Sequence, residues 1–159
     1  MSKVPLISIV DDDALARDGI RELVESFGYE AISFPSAQHF LQSDAITETT
    51  CLITDMQMPG LNGLELQESL QSLGNQTPVI VITGYPNEKH RTLALENGAV
   101  GYLSKPFDEH TLIECLTTAI NLRSIGAGGQ RFTVINGVGL GDCTGWTACR
   151  CRMTNVRWL

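Results

Sequence analysis

The sequence predicts an α/β fold built on a doubly wound parallel sheet. Three observations carry that prediction. Short apolar runs alternate with helix-period stripes, five of each. The connections between them are short. Acids gather just after the apolar runs.

The first run, Leu6-Ile-Ser-Ile-Val10, ends at three aspartates and reads as a buried strand. Asp13 can cap the helix that follows. In that helix Ile20, Leu23, Val24 and Phe27 recur at helical spacing, which makes one face apolar, and Gly28 stops it. Residues 30–34 read as the second strand. Residues 36–43 read as a short helix with Ala37, Phe40 and Leu41 facing inward. Residues 51–54 form the third strand, which ends at Asp55. Pro59, Gly60, Asn62 and Gly63 make the loop after it. Leu66, Leu70 and Leu73 stripe the next helix. Residues 78–82 are rich in β-branched side chains and read as a central fourth strand. Residues 87–97 form a helix with a thin apolar face, ended by Gly98, and residues 100–103 a short fifth strand. Leu112, Ile113, Leu116, Ala119 and Ile120 give the last helix a firm inner face.

With 159 residues the chain has room for one domain with a proper core plus a tail. No apolar run approaches the ~20 residues that a membrane span needs. The N-terminus reads as a strand and not as a signal peptide. The expected location is therefore the cytoplasm, with no membrane partner. The net charge of −7 is uneven: residues 1–122 carry −11 and residues 123–159 carry +4. The acidic part would repel phosphates, so residues 1–122 alone are not expected to bind DNA.

Five cysteines, an odd number, argue against a disulfide framework. Cys51 and Cys115 read as small core residues. Cys143, Cys149 and Cys151 lack the fourth ligand of a structural zinc site. His39, His90 and His110 are expected on exposed helix surfaces. Seven glycines crowd residues 126–145 and no helical stripe follows, so residues 123–159 read as a Gly-rich tail, poorly ordered, truncated or non-native.

In open parallel sheets the working site lies beyond the carboxyl ends of the strands. Asp11 and Asp12 follow the first strand and Asp55 closes the third. On neighbouring strands these three carboxylates converge, and their mutual repulsion must be offset. A hard divalent cation such as Mg2+, which takes oxygen ligands, does that. Thr83 ends the fourth strand, and Gly84 after it leaves space. Lys105 ends the fifth, followed by Pro106, where a cis bond is tolerated. Each residue alone has an ordinary reading as a turn acid, a strand-end threonine or a solvated lysine. Together, every strand but the second ends in a group suited to phosphoryl chemistry.

Four stretches complete the pattern: Ile9-Val-Asp-Asp12, Thr54-Asp-Met-Gln-Met-Pro-Gly-Leu-Asn-Gly63, Val81-Ile-Thr-Gly84 and Gly98-Ala-Val-Gly-Tyr-Leu-Ser-Lys-Pro-Phe107. In this order and spacing, across residues 4–122, the sequence resembles the receiver domains of two-component response regulators. The resemblance implies the flavodoxin-like (CheY-like) strand order 2-1-3-4-5, known for chemotaxis members of that family.

The resemblance also implies roles. Asp55 matches the phosphoacceptor, supplied by a sensor histidine kinase in a phosphorelay. Asp12 and Asp55 would ligate Mg2+ directly, with the backbone carbonyl of Gln57, and Asp11 would act mainly through water. Thr83 and Lys105 match the residues that grip the phosphoryl group, and Tyr102 the aromatic switch that enters room vacated by Thr83. Gln57 and Tyr85 stand where the family tunes the lifetime of the phosphate. The fourth helix, fifth strand and fifth helix form the implied switched face and the candidate homodimer surface. Such a protein is no enzyme beyond its own phosphorylation and dephosphorylation.

The receiver most resembles that of FixJ-like transcription regulators, which carry a helix-turn-helix domain after it. A truncated transcription regulator that has lost that domain is therefore an alternative. An aspartyl-phosphate phosphatase is a second alternative, disfavoured because Gln57 stands where those enzymes need an acid. A flavin-binding electron carrier would need a hydroxyl-rich loop where Asp11, Asp12 and Asp13 stand.

Overall fold

The computed structural model describes residues 3–124, and the readings of the Gly-rich tail and its three cysteines lie outside them. The described strands are β1 (Leu6–Val10), β2 (Glu30–Phe34), β3 (Cys51–Asp55), β4 (Val79–Thr83) and β5 (Gly101–Ser104). The described helices are α1 (Ala14–Ser26), α2 (Ala37–Leu41), α3 (Ala45–Glu48), α4 (Gly63–Ser72), α5 (Glu88–Glu96) and α6 (Glu109–Ser124). All five strands run parallel in the order β2-β1-β3-β4-β5, the order the resemblance implied. No described helix is long and apolar enough to cross a membrane.

The apolar runs become strands because both of their faces are covered. On one face Val10, Leu52 and Val81 pack with Phe40 of α2, Leu66 and Leu70 of α4 and Ala94 of α5. On the other, Ile7, Ile9, Ile53, Ile80 and Ile82 pack with Ile20 and Val24 of α1 and Leu112 and Leu116 of α6. Each large side chain so buried contributes about 1.5–3 kcal/mol, which concentrates the stability in β1, β3 and β4. The register pairs Val10 with Thr54, Asp55 with Ile82, and Thr83 with Ser104. The carboxyl ends of β1, β3, β4 and β5 are thereby brought to one edge.

The caps follow the sequence. The Asp13 carboxylate accepts from the Leu15 N–H at 3.0 Å, and Gly28, at φ +87°, ends the turn after α1. Asn62 and Glu65 form a reciprocal capping box at the start of α4.

Some expectations are corrected. Phe27 is 47% exposed and Leu73 66% exposed, whereas both were expected to face inward. Each is the C-cap of its helix, so the chain turns away there and the stripe outruns the helix by one residue. The fifth strand begins at Gly101 and not at Val100. Helix α3 has no counterpart in the sequence reading. It buries no side chain and is pinned by neighbours: Asn75 Nδ2 donates to the Ile46 carbonyl at 2.9 Å and Thr49 Oγ1 to the Ala45 carbonyl.

Candidate functional site

Strand ends fix the charged groups. Asp11, 2% exposed, is held at every polar atom. Its N–H donates to the Phe34 carbonyl at 3.3 Å, and its carbonyl accepts from Arg17 Nη1 at 2.8 Å. Its Oδ1 accepts from the Asp13 N–H at 2.9 Å, and its Oδ2 lies 3.1 Å from Lys105 Nζ. Asp55, 7% exposed, receives the Gln57 N–H on Oδ2 at 3.1 Å and has Lys105 Nζ 3.1 Å from Oδ1. One ammonium thus bridges the two buried acids. Asp12 is exposed, yet the carboxylates of Asp11, Asp12 and Asp55 gather within 4.8 Å of one another.

The electrostatics follow from burial and from these neighbours. Burial pushes the Asp55 carboxyl above its ordinary range, and the charge of Asp11 adds to that. The hydrogen bond and charge of Lys105 and the Gln57 N–H pull the other way and only partly offset it. For Lys105, burial alone would lower the ammonium. The hydrogen bonds and charges of Asp11 and Asp55 outweigh it and hold the group above its usual value. Three carboxylates facing one ammonium leave an excess of negative charge, and all the donors are hard oxygens. That donor set fits a divalent cation such as magnesium.

Thr83 is fully buried, and its Oγ1 accepts from the Tyr85 N–H at 3.1 Å, with no acceptor for the hydroxyl proton among the described residues. A Cβ on Gly84 would meet nothing within 4 Å, so the chain is uncrowded at Gly84 itself. The Lys105–Pro106 bond is cis. Tyr102 is already buried, at 8% exposure, and its hydroxyl accepts from the Asn87 N–H at 3.4 Å. Its ring is therefore buried while Thr83 keeps its bond to the Tyr85 N–H. The Gln57 side chain and Tyr85 are exposed.

The structure therefore brings Asp11, Asp12, Asp55 and Lys105 into one cluster, with Gln57 bonded to it through its N–H. Thr83 sits at the neighbouring strand end. Sequence reasoning missed three residues beside them. Gly63 was read only as a loop glycine. It opens α4, where a Cβ would lie 2.9 Å from the Asp55 carbonyl oxygen. Arg17 carried no signal beyond that of an ordinary helix cation. His90 was expected to be exposed but is half-buried, its Nδ1 enclosed without a hydrogen-bond partner among the described residues. It lines an open groove of about 450 Å³ with Met56, Gln57, Met58, Asn62 and Leu64. His39 and His110 are exposed, as expected.

Residues 7–117 match the response regulator receiver domain family. The chain belongs to that family. It is 37% identical over 114 residues to nodulation protein W of Bradyrhizobium diazoefficiens, covering 72% of this chain and 50% of that protein. It is 33% identical to the transcriptional regulatory protein FixJ of the same organism, covering 72% and 56% of the two chains. The chain spans about half the length of the curated relatives it matches. Among solved structures, the response regulator StyR superposes with a TM-score of 0.72 at 34% identity, covering 77% of this chain and 62% of that one. The N-terminal part of FixJ superposes with a TM-score of 0.68 at 30% identity, covering 76% and 96%. The receiver-domain fold and its FixJ-like character are thus established, and the acidic cluster lies where the receiver fold puts its strand ends.

Proposed function

We propose that this receiver domain takes a phosphoryl group onto Asp55 from a phosphohistidine of a sensor histidine kinase. The observation that carries the proposal is the Lys105 ammonium bridging Asp11 and Asp55, with Asp12 beside them, in a chain of this family. A carboxylate oxygen of Asp55 attacks phosphorus in line. The oxygen–phosphorus bond forms as the phosphorus–nitrogen bond breaks, and the electron pair leaves with the imidazole nitrogen. The product is an acyl phosphate.

Asp11, Asp12 and Asp55, with the backbone carbonyl of Gln57, would hold magnesium, which when bound neutralises charge on the transferring group. Lys105 is already at the carboxylates and pairs with a phosphoryl oxygen as a mobile point charge. The Thr83 hydroxyl donates to another. Gln57 offers no acid for a phosphatase-type second step, which supports a phosphoacceptor that acts only on its own phosphate.

The new charge draws Thr83 and Lys105 inward. The Thr83 oxygen then leaves the Tyr85 N–H, and the loop leading to Asn87 and the Tyr102 hydroxyl follows. Helix α5, which buries only Ala94, is the soft element on which this acts. The face of α5, β5 and α6 is the proposed output and homodimer surface. Transcriptional control, the role printed in the name of the relative FixJ, is the proposed output.

The test is intact-mass measurement after treatment with a small phosphodonor, with and without magnesium. Wild type should gain one phosphoryl mass only with magnesium, and Asp55→Asn should gain none. A normal yield from Asp55→Asn refutes the assignment.

A further inference from the structure

We propose that Arg17 is a positioning residue for the divalent cation, acting through the main chain of Asp11. The proposal rests on the magnesium reading of the acidic cluster. Of the three carboxylates, Asp11 and Asp55 are each held by Lys105 and by a backbone N–H. The Asp12 carboxylate is exposed and has no such hold among the described residues. Its aim depends on the path of the backbone through residues 11–13.

That backbone is tied at three points. The Asp11 N–H bonds the Phe34 carbonyl, and the Asp13 N–H bonds Asp11 Oδ1. The third tie comes from Arg17, half-buried one turn into α1. Its own N–H bonds the Asp13 carbonyl at 2.9 Å, and its Nη1 reaches back to the Asp11 carbonyl at 2.8 Å. A single residue therefore holds the carbonyls on both sides of Asp12. The bond from a rigid, charged guanidinium to a carbonyl is charge-assisted and directional, which a flexible lysine ammonium does not reproduce.

Geometry and charge predict opposite signs. Arg17 is a cation near the site, so by Coulomb's law its removal should tighten a bound dication. If instead Arg17 acts by holding Asp12 in place, its removal should weaken it. Outer residues that orient ligands typically change metal affinity by about 10–100-fold.

The experiment is calorimetric titration of the whole chain with Mg2+, alongside thermal melts without divalent ions. Arg17→Met keeps most of the apolar stem and loses both the charge and the bond. It should raise the Mg2+ dissociation constant about tenfold, with its cation-free melt still cooperative. Arg17→Lys keeps the charge and should still weaken binding, by roughly threefold, because the fork is lost. A folded variant that binds Mg2+ as tightly as wild type, or more tightly, overturns the proposal. If Arg17→Met fails to fold, Arg17→Lys decides by the same criterion. Wild type that binds no Mg2+ overturns the magnesium reading and this inference together. Wild type that binds, with Asp12→Asn weakened and both Arg17 variants unchanged, overturns the Arg17 role alone.

Discussion

A Cβ placed on Gly63 would lie 2.9 Å from the carbonyl oxygen of Asp55 and 3.2 Å from the Cα of Met56. Both obstacles are backbone, and the Gly63 N–H already donates to the Met56 carbonyl at 3.1 Å. Helix α4 thus starts in van der Waals contact with the end of the strand that carries the phosphoacceptor candidate. Gly63→Ala must push that strand end or the helix aside. The expected loss of stability is about 1–3 kcal/mol, as for other overpacked sites. Phosphoryl uptake from a small donor should slow as well, because the Asp55 carboxylate moves relative to Asp11 and Lys105. Melting temperature and a labelling time course check both effects. Wild-type values for both would mean that the helix start retreats freely.

The raised carboxyl of Asp55 makes a prediction about pH. Burial, its first cause, makes the folded chain hold a proton on Asp55 more tightly than the unfolded chain does. Stability from this group therefore falls as pH rises from the ordinary value of 3.8 through the raised one, and the penalty is complete above it. Asp55→Asn removes that penalty and leaves Lys105 its bond to Asp11. In the presence of a chelator the variant should melt above wild type at neutral pH, with a gain that shrinks as pH falls toward the ordinary carboxylate range. A gain that ignores pH would belong to packing instead.

Much of this was legible in the sequence because the signals were local and strong. The short apolar runs that became β3 and β4 are buried throughout, and β4 is almost wholly β-branched, so composition marks them. Asp11, Asp55, Thr83 and Lys105 were legible because each stands at the end of a short strand run. What escaped was set by tertiary context. Helix α3 has no apolar stripe and exists because Thr49 and Asn75 hold its carbonyls. Phe27 and Leu73 keep helical spacing, but spacing does not mark where the turn ends. The Arg17 bond depends on a side chain folding back over its own helix start, and the Gly63 approach on where α4 meets β3. Neither relation has a one-dimensional signature.

Gln67 supplies a test of polar burial. It is 2% exposed, its Nε2 donates to the Ala94 carbonyl at 3.2 Å, and its Oε1 is enclosed without a hydrogen-bond partner among the described residues. The Ala94 carbonyl also accepts from the Ala99 N–H at 2.9 Å, so it keeps a partner if Gln67 is lost. Gln67→Leu removes an orphaned acceptor and leaves none behind. It should be neutral or stabilise the domain by about 1 kcal/mol, read as a higher melting temperature. A clear drop would show that the α4–α5 amide bond outweighs the orphaned oxygen.

Cys51 and Cys115 predict how the domain opens. Cys51 lies fully buried in β3. Burial pushes its thiol far up, the neighbouring Cys115 adds to that, and Arg123 only partly counters it. Cys115 on α6 is pushed up to about 11, again mainly by burial. The thiolate is the reactive species, so at neutral pH both residues are nearly inert in the folded chain and ordinary thiols in the unfolded one. Both pack in the same core layer, between the sheet and α6. Arg123 ties the end of α6 to the Thr49 carbonyl and to Thr77 Oγ1, beside the starts of β3 and β4. Strand and helix should therefore separate only in global unfolding. In rising urea, alkylation of the two cysteines, resolved by peptide mass, should appear together at the unfolding midpoint. Modification of Cys115 well below that midpoint would show that α6 detaches while the sheet is still closed, and that the Arg123 tie is too weak to couple them.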